Sequence, residues 1–223
     1  MNQKETCIAL IHATMNSVQP IVEAFQEYAP HIKLLHFMDE GLISELNETG
    51  VISPAMVRQL ASLMERAENS RADGIMLTCS SFTPHVEGIK HLFSKPVLSA
   101  DYSMLKHAVK LGRRIGVVAT VGAAGPTTTM LIHEIAEQQG AKVNVETVVL
   151  TEAFEALQQG NQPKHDELIG QYLYEMASRC DVIVLAQMSM VRALKKITKQ
   201  PIPILTSPEI NVKAMLSLLS CHD

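Results

Sequence analysis

DGIMLTCSS, residues 73–81, sets an aspartate before a short apolar run without polar alternation, then a cysteine among small polar residues. An uninterrupted apolar strand is the kind covered on both faces, as strands of parallel sheets are. The chain then repeats the phrase. DVIVLAQMS (181–189) has the same form, with Gln187 where the first copy has Cys79. One step upstream, SRADGIML (70–77) and SRCDVIVL (178–185) share Ser, Arg, Asp, Ile and Leu at matching positions.

The agreement continues in both directions. KPVLSADYSMLKHAV (95–109) follows the pattern of PIPILTSPEINVKAM (201–215), pairing Pro96 with Pro203 and Leu98 with Leu205. IALIHAT (8–14) resembles IGVVAT (115–120), and a helical pattern follows each. The remaining strand candidates lie at 32–37 and 142–150, and helices are expected at 17–28, 54–70, 102–111, 126–139, 164–179, 189–198 and 208–219. Alternating strands and helices of this kind build parallel sheets through right-handed crossovers. The expectation is an α/β protein of two pseudo-symmetric lobes, each a mainly parallel four-stranded sheet flanked by helices. Residues 1–98 with 207–223 would form the first lobe and residues 99–206 the second. Ligands bind at the C-terminal ends of parallel strands, so the active-site cleft is expected between the lobes. QQGNQPKHD (158–166) reads as a flexible surface loop able to cover it.

Composition narrows the function. The net charge is −4 and basic residues are scattered, which gives nucleic-acid binding no footprint. No apolar run approaches the roughly 20 residues that span a bilayer, and the N-terminus has no signal-peptide pattern, so a cytoplasmic protein without a membrane role is expected. The four cysteines (Cys7, Cys79, Cys180, Cys221) have neither CxxC nor metal-ligand spacing, and the nine histidines form no HExxH or HxH, so no metal site is expected. Methionines such as Met56, Met64, Met104 and Met215 fall at core positions of helices.

Chemistry concentrates at the strand ends. Cys79 and Gln187 occupy equivalent places before a turn and a helix, each followed two residues on by serine, Ser81 and Ser189. Free N–H groups at a helix start lower a thiol's pKa, and the hydroxyls of Thr78, Ser80 and Ser81 would join them in holding a carboxylate. Cys7, Cys180 and Cys221 read as buried inert thiols. A second anion candidate is ATVGAAGPTTTML (119–131), which brings Thr120 and Thr127 to a strand end and a helix start; it lacks the GK[ST] of a phosphate-binding loop, and simple helix capping explains its threonines equally well. His12, Thr14 and Asn16 end the first strand, where His12 would serve as an acid/base, as a donor to substrate, or merely as a satisfied polar group.

These motifs in this order resemble the aspartate/glutamate racemase superfamily, which includes aspartate, glutamate and hydantoin racemases, maleate isomerases and arylmalonate decarboxylases. LTCSS looks like its first cysteine motif, VVAT opens the second half, and DVIVLAQMSM and ILTSPE follow in sequence. The resemblance implies a cofactor-independent enzyme acting beside a carboxylate of a small acid or amino acid, and a homodimer. In such racemases two cysteines exchange the α-proton. Cys79 matches the first; Gln187 stands at the second, and an amide does not exchange protons as a thiol does. Cys180 lies roughly 20 Å from that strand's far end, too distant to substitute. Ala123 replaces a threonine common in relatives. The readings left open are a racemase or isomerase, a single-cysteine lyase, decarboxylase or hydrolase, and a non-catalytic protein that binds small carboxylates.

Overall fold

The computed structural model describes residues 5–195, 197 and 201–221. The chain divides into two compact units, Met1–Ala100 with Pro208–Asp223, and Asp101–Ser207.

In the first unit the strands are β1 (Cys7–His12), β2 (Lys33–Met38), β3 (Gly74–Leu77) and β4 (Val97–Leu98). They pair in the order β2-β1-β3-β4, all parallel. The helices between them are α1 (Val18–Tyr28), α2 (Glu40–Thr49), α3 (Pro54–Asn69) and α4 (Thr83–Ile89). Two residues set the start of α3: Ser53 Oγ accepts the Met56 N–H, and Pro54 occupies the first turn, where its missing N–H costs nothing.

The second unit holds α5 (Tyr102–Leu111), β5 (Arg114–Ala119), α6 (Ala124–Gln138), β6 (Asn144–Val149), α7 (Thr151–Gln158), α8 (Gln162–Ala177), β7 (Val182–Leu185), α9 (Val191–Leu194) and β8 (Ile204–Leu205). Its sheet order, β6-β5-β7-β8, is the first unit's order again, and it too is parallel throughout. The chain closes with α10 (Ser207–Ser220), whose Asn211 side chain donates to the Ser99 and Ala100 carbonyls after β4. The expected class, α/β with two parallel four-stranded sheets flanked by helices, is the observed one.

The repeated residues of the sequence have structural causes. Asp73 Oδ2 accepts the Cys7 N–H at 3.0 Å; its counterpart Asp181 accepts the Arg113 and Arg114 N–H groups at 3.0 and 2.9 Å. Each aspartate thus ties the start of a third strand to the start of a first. The Pro96 and Pro203 carbonyls accept from Ile75 and Ile183, so the two prolines begin fourth strands in equivalent register. The helix-core methionines Met56, Met64, Met104 and Met215 are all buried.

Four local expectations change. Helices α2, α4 and α7 are additions to the expected set; they are 10, 7 and 8 residues long, too short for a strong periodic signal. Segment 158–166 is not a flexible loop. Asn161 caps α8 by accepting the Lys164 N–H at 3.2 Å, Pro163 sits in the first turn, and His165 and Asp166 are buried. The helix expected at 189–198 is a 3-10 turn followed by the four residues of α9; positions 196 and 198 lie outside the described residues. Cys180 is buried as expected, with burial the main cause raising its pKa, whereas Cys7 is half-buried and Cys221 is exposed.

Candidate active site

Side chains alternate along a strand, and that alternation sorts the residues at the end of β3. Ile75, Leu77 and Cys79 point to one face. There they join Ala9, Ile11 and Ala13, and Met56, Leu60 and Met64 of α3, in a single apolar cluster. Cys79 is 7% exposed and starts the 3-10 turn Ser80–Phe82, which leads into α4. Ser80 and Ser81 are buried in that turn.

His12 and Thr78 point to the other face. His12 Nδ1 lies 2.8 Å from Thr78 Oγ1 and 3.3 Å from Ser17 Oγ, and those two hydroxyls are 2.8 Å apart. Thr78 also donates to the Ile11 carbonyl, and Ser17 to the Thr14 carbonyl. On its far side His12 Nε2 is 3.0 Å from Nδ1 of the exposed His36, too close for face-to-face stacking, so the nearly parallel rings meet edge to edge. Burial, then the neighbouring His36, lowers the His12 pKa to about 4, which leaves a neutral ring at pH 7. Thr14 accepts the Asn16 N–H, and Asn16 is exposed. The strand end therefore brings His12, Thr78 and Ser17 together, but directs Cys79 to the opposite face of its sheet.

In the second unit Gln187 ends β7 as Cys79 ends β3. Its Oε1 accepts the Thr120 N–H at 2.9 Å, with the Thr120 hydroxyl at 3.3 Å. A backbone N–H only donates, so this contact fixes which end of the amide is oxygen. The Nε2 end is buried and has no hydrogen-bond partner among the described residues. Ser189 is half-buried in the turn Met188–Met190. Thr127 donates to the Ala123 carbonyl at 2.8 Å, a bond made at the start of its own helix. Among the described residues no three His, Cys, Asp or Glu side chains gather as a metal-holding group, and no helix is long and apolar enough to cross a membrane.

One cluster in the second unit matches no motif in the sequence. His165 Nδ1 lies 3.0 Å from Asp166 Oδ1, and Arg192 Nε stands at ion-pair distance, 3.0 Å, from the same oxygen, though its N–H is not aligned for a hydrogen bond. Arg192 also donates to Gln162 Oε1 at 2.9 Å. The signal that could have found it is the helix start at Asn161, Gln162 and Pro163, which puts His165 one turn before Ile169 on the apolar side of α8.

Comparison with known proteins agrees with this architecture. The chain superposes on an aspartate racemase homologue, PH1733, from Pyrococcus horikoshii OT3 with a TM-score of 0.73 at 16% identity, covering 97% of this chain and 99% of that one. Glutamate racemase isoform RacE1 from Bacillus anthracis gives 0.69 at 16% identity, over 99% of this chain and 84% of that one. Allantoin racemase from Klebsiella pneumoniae gives 0.68 at 17% identity, over 97% and 89%. No curated relative matches the chain in sequence. The sequence profile of the Asp/Glu/Hydantoin racemase family matches residues 8–215, and the chain belongs to that family of isomerases.

Proposed function

We propose that this protein is a cofactor-independent isomerase that works at the carbon beside a carboxylate of a small acid, with Cys79 as the thiol that moves the proton. The observation that carries the reading is the register. Cys79 and Gln187 end equivalent strands of two sheets with the same order, so a thiol and an amide hold the places where the resemblance implies two cysteines. The amide supports a substrate with an oxygen to offer: Gln187 Nε2 carries two N–H donors, is buried, and lacks an acceptor among the described residues. A carboxylate or carbonyl oxygen supplies one, and a donor held ready for developing negative charge favours an enediolate-like intermediate.

The same amide favours a second reading, one-sided chemistry, in which Cys79 alone delivers a proton after a lyase or decarboxylase step. One experiment separates the two. Protein in D2O is incubated with aspartate, glutamate, malonates, maleate and hydantoins, and NMR follows deuterium uptake and products. Inversion supports the isomerase, and uptake without inversion supports the one-sided enzyme. Cys79→Ser is expected to lose about 10²–10⁴-fold of either activity. No exchange on any acid by a folded wild-type protein would leave a binding protein and sink the catalytic reading.

A further inference from the structure

We propose that His165, held by Asp166, is a second acid/base of this reaction, supplying in the second unit the proton exchange that Gln187 does not. The inference rests on the reading of Cys79 given above. Its geometry lies wholly within the second unit.

Helix α8 turns Ile169, Leu173 and Met176 toward the sheet, where all three join the cluster containing Val118, Ile183 and Leu185. His165 continues that series one turn earlier, so its ring is on the same face. Met176 marks the level: a Cβ on Gly116 would meet its Cε at 2.9 Å. From Met176 back to His165 the helix rises about 16 Å, which equals about five residues of strand. Helix α8 leads into a parallel strand and so runs against β5 and β7. About that distance beyond Gly116 and its partner Ile183 is the level of Thr120 and Gln187. His165 is therefore at the strand end where Gln187 sits, on the face to which Ile183, Leu185 and Gln187 point.

The chemistry of the pair is that of an oriented base. Asp166, beside the Arg192 guanidinium, is an acceptor, so His165 Nδ1 carries the proton between them. In the neutral ring Nε2 then bears the lone pair. That nitrogen has no hydrogen-bond partner among the described residues, although the whole residue is buried. A carboxylate that fixes the tautomer and a second nitrogen left open are the two elements of a general base. In turnover the neutral His165 takes a proton at Nε2 and becomes the imidazolium, and in the opposite direction the imidazolium returns a proton and becomes neutral. Exchange of one proton with water resets the ring, and no oxidant or cofactor enters.

The test uses the acid that wild-type protein converts in the D2O panel. His165→Asn and His165→Gln keep an amide donor for Asp166 and remove proton exchange. The expected result is a fall in kcat of about 10²-fold or more, with KM within about threefold, in variants whose circular dichroism matches wild type. A kcat within about threefold of wild type, or a loss confined to KM, overturns the proposal while leaving Cys79 in place. If neither variant folds, the ring nitrogen signals of His165 in the wild-type protein decide: a change at Nε2 when that acid binds supports the role, and no change overturns it. A wild-type protein inactive on the whole panel overturns the Cys79 reading and this one with it.

Discussion

Strand alternation alone separates the thiol from the imidazole at the ends of β1 and β3. Cys79 follows Ile75 and Leu77 into the cluster beneath α3, while His12 and Thr78 face Ser17. Sequence puts His12, Thr78 and Cys79 at strand ends, but faces depend on where the strand's extended backbone ends, and Cys79 is still extended at φ −112°. The neutral, buried His12 has a consequence for stability. Its folded pKa is depressed to about 4 from 6.5, so the unfolded chain binds its proton first as pH falls. The stability it supports is complete above pH 6.5 and is lost toward pH 4, by at most about 3 kcal/mol. Denaturant unfolding of wild type and His12→Gln across that window checks this: the variant is expected to be less stable at pH 7 and to show a flatter pH dependence.

Elements are legible in proportion to the strength of their local pattern. The described strands overlap the expected runs, because buried parallel strands advertise themselves by composition. Helices α2, α4 and α7 do not, being shorter than the window that periodicity needs. The first turn of α8 reads as a loop in sequence because Gly160, Asn161 and Pro163 are loop residues as well as helix-start residues. Close packing of an element gives a further prediction. A Cβ on Gly125 of α6 would lie 2.7 Å from Val149 Cγ2 and 3.2 Å from Thr147 Cγ2. Both neighbours are β-branched and stiff at χ1, so they cannot swing aside. Gly125→Ala is expected to destabilise by about 1–3 kcal/mol in chemical unfolding, despite alanine's higher helix propensity.

At the largest scale, two units share strand order, register and the aspartates that start their third strands. Arg114 and the two backbone N–H groups hold the Asp181 pKa at about 2, so this tie persists through mild acid. Asp73→Ala and Asp181→Ala are each expected to lower the thermal midpoint by a few degrees while leaving the rate of Cys79 alkylation unchanged; slower or faster alkylation would show that these residues reach beyond structure. The class, the repeat, the equivalence of Cys79 with Gln187 and the family resemblance all come from the sequence without help, because strand burial and motif order are written locally. Packing in three dimensions settles what no local pattern carries. It sets the face to which Cys79 points, the partners that make His12 neutral, and the orientation of the Gln187 amide by Thr120. It also brings Asp166, Arg192 and His165 together, since contacts between helices depend on how α8 and α9 pack on the sheet rather than on their spacing along the chain.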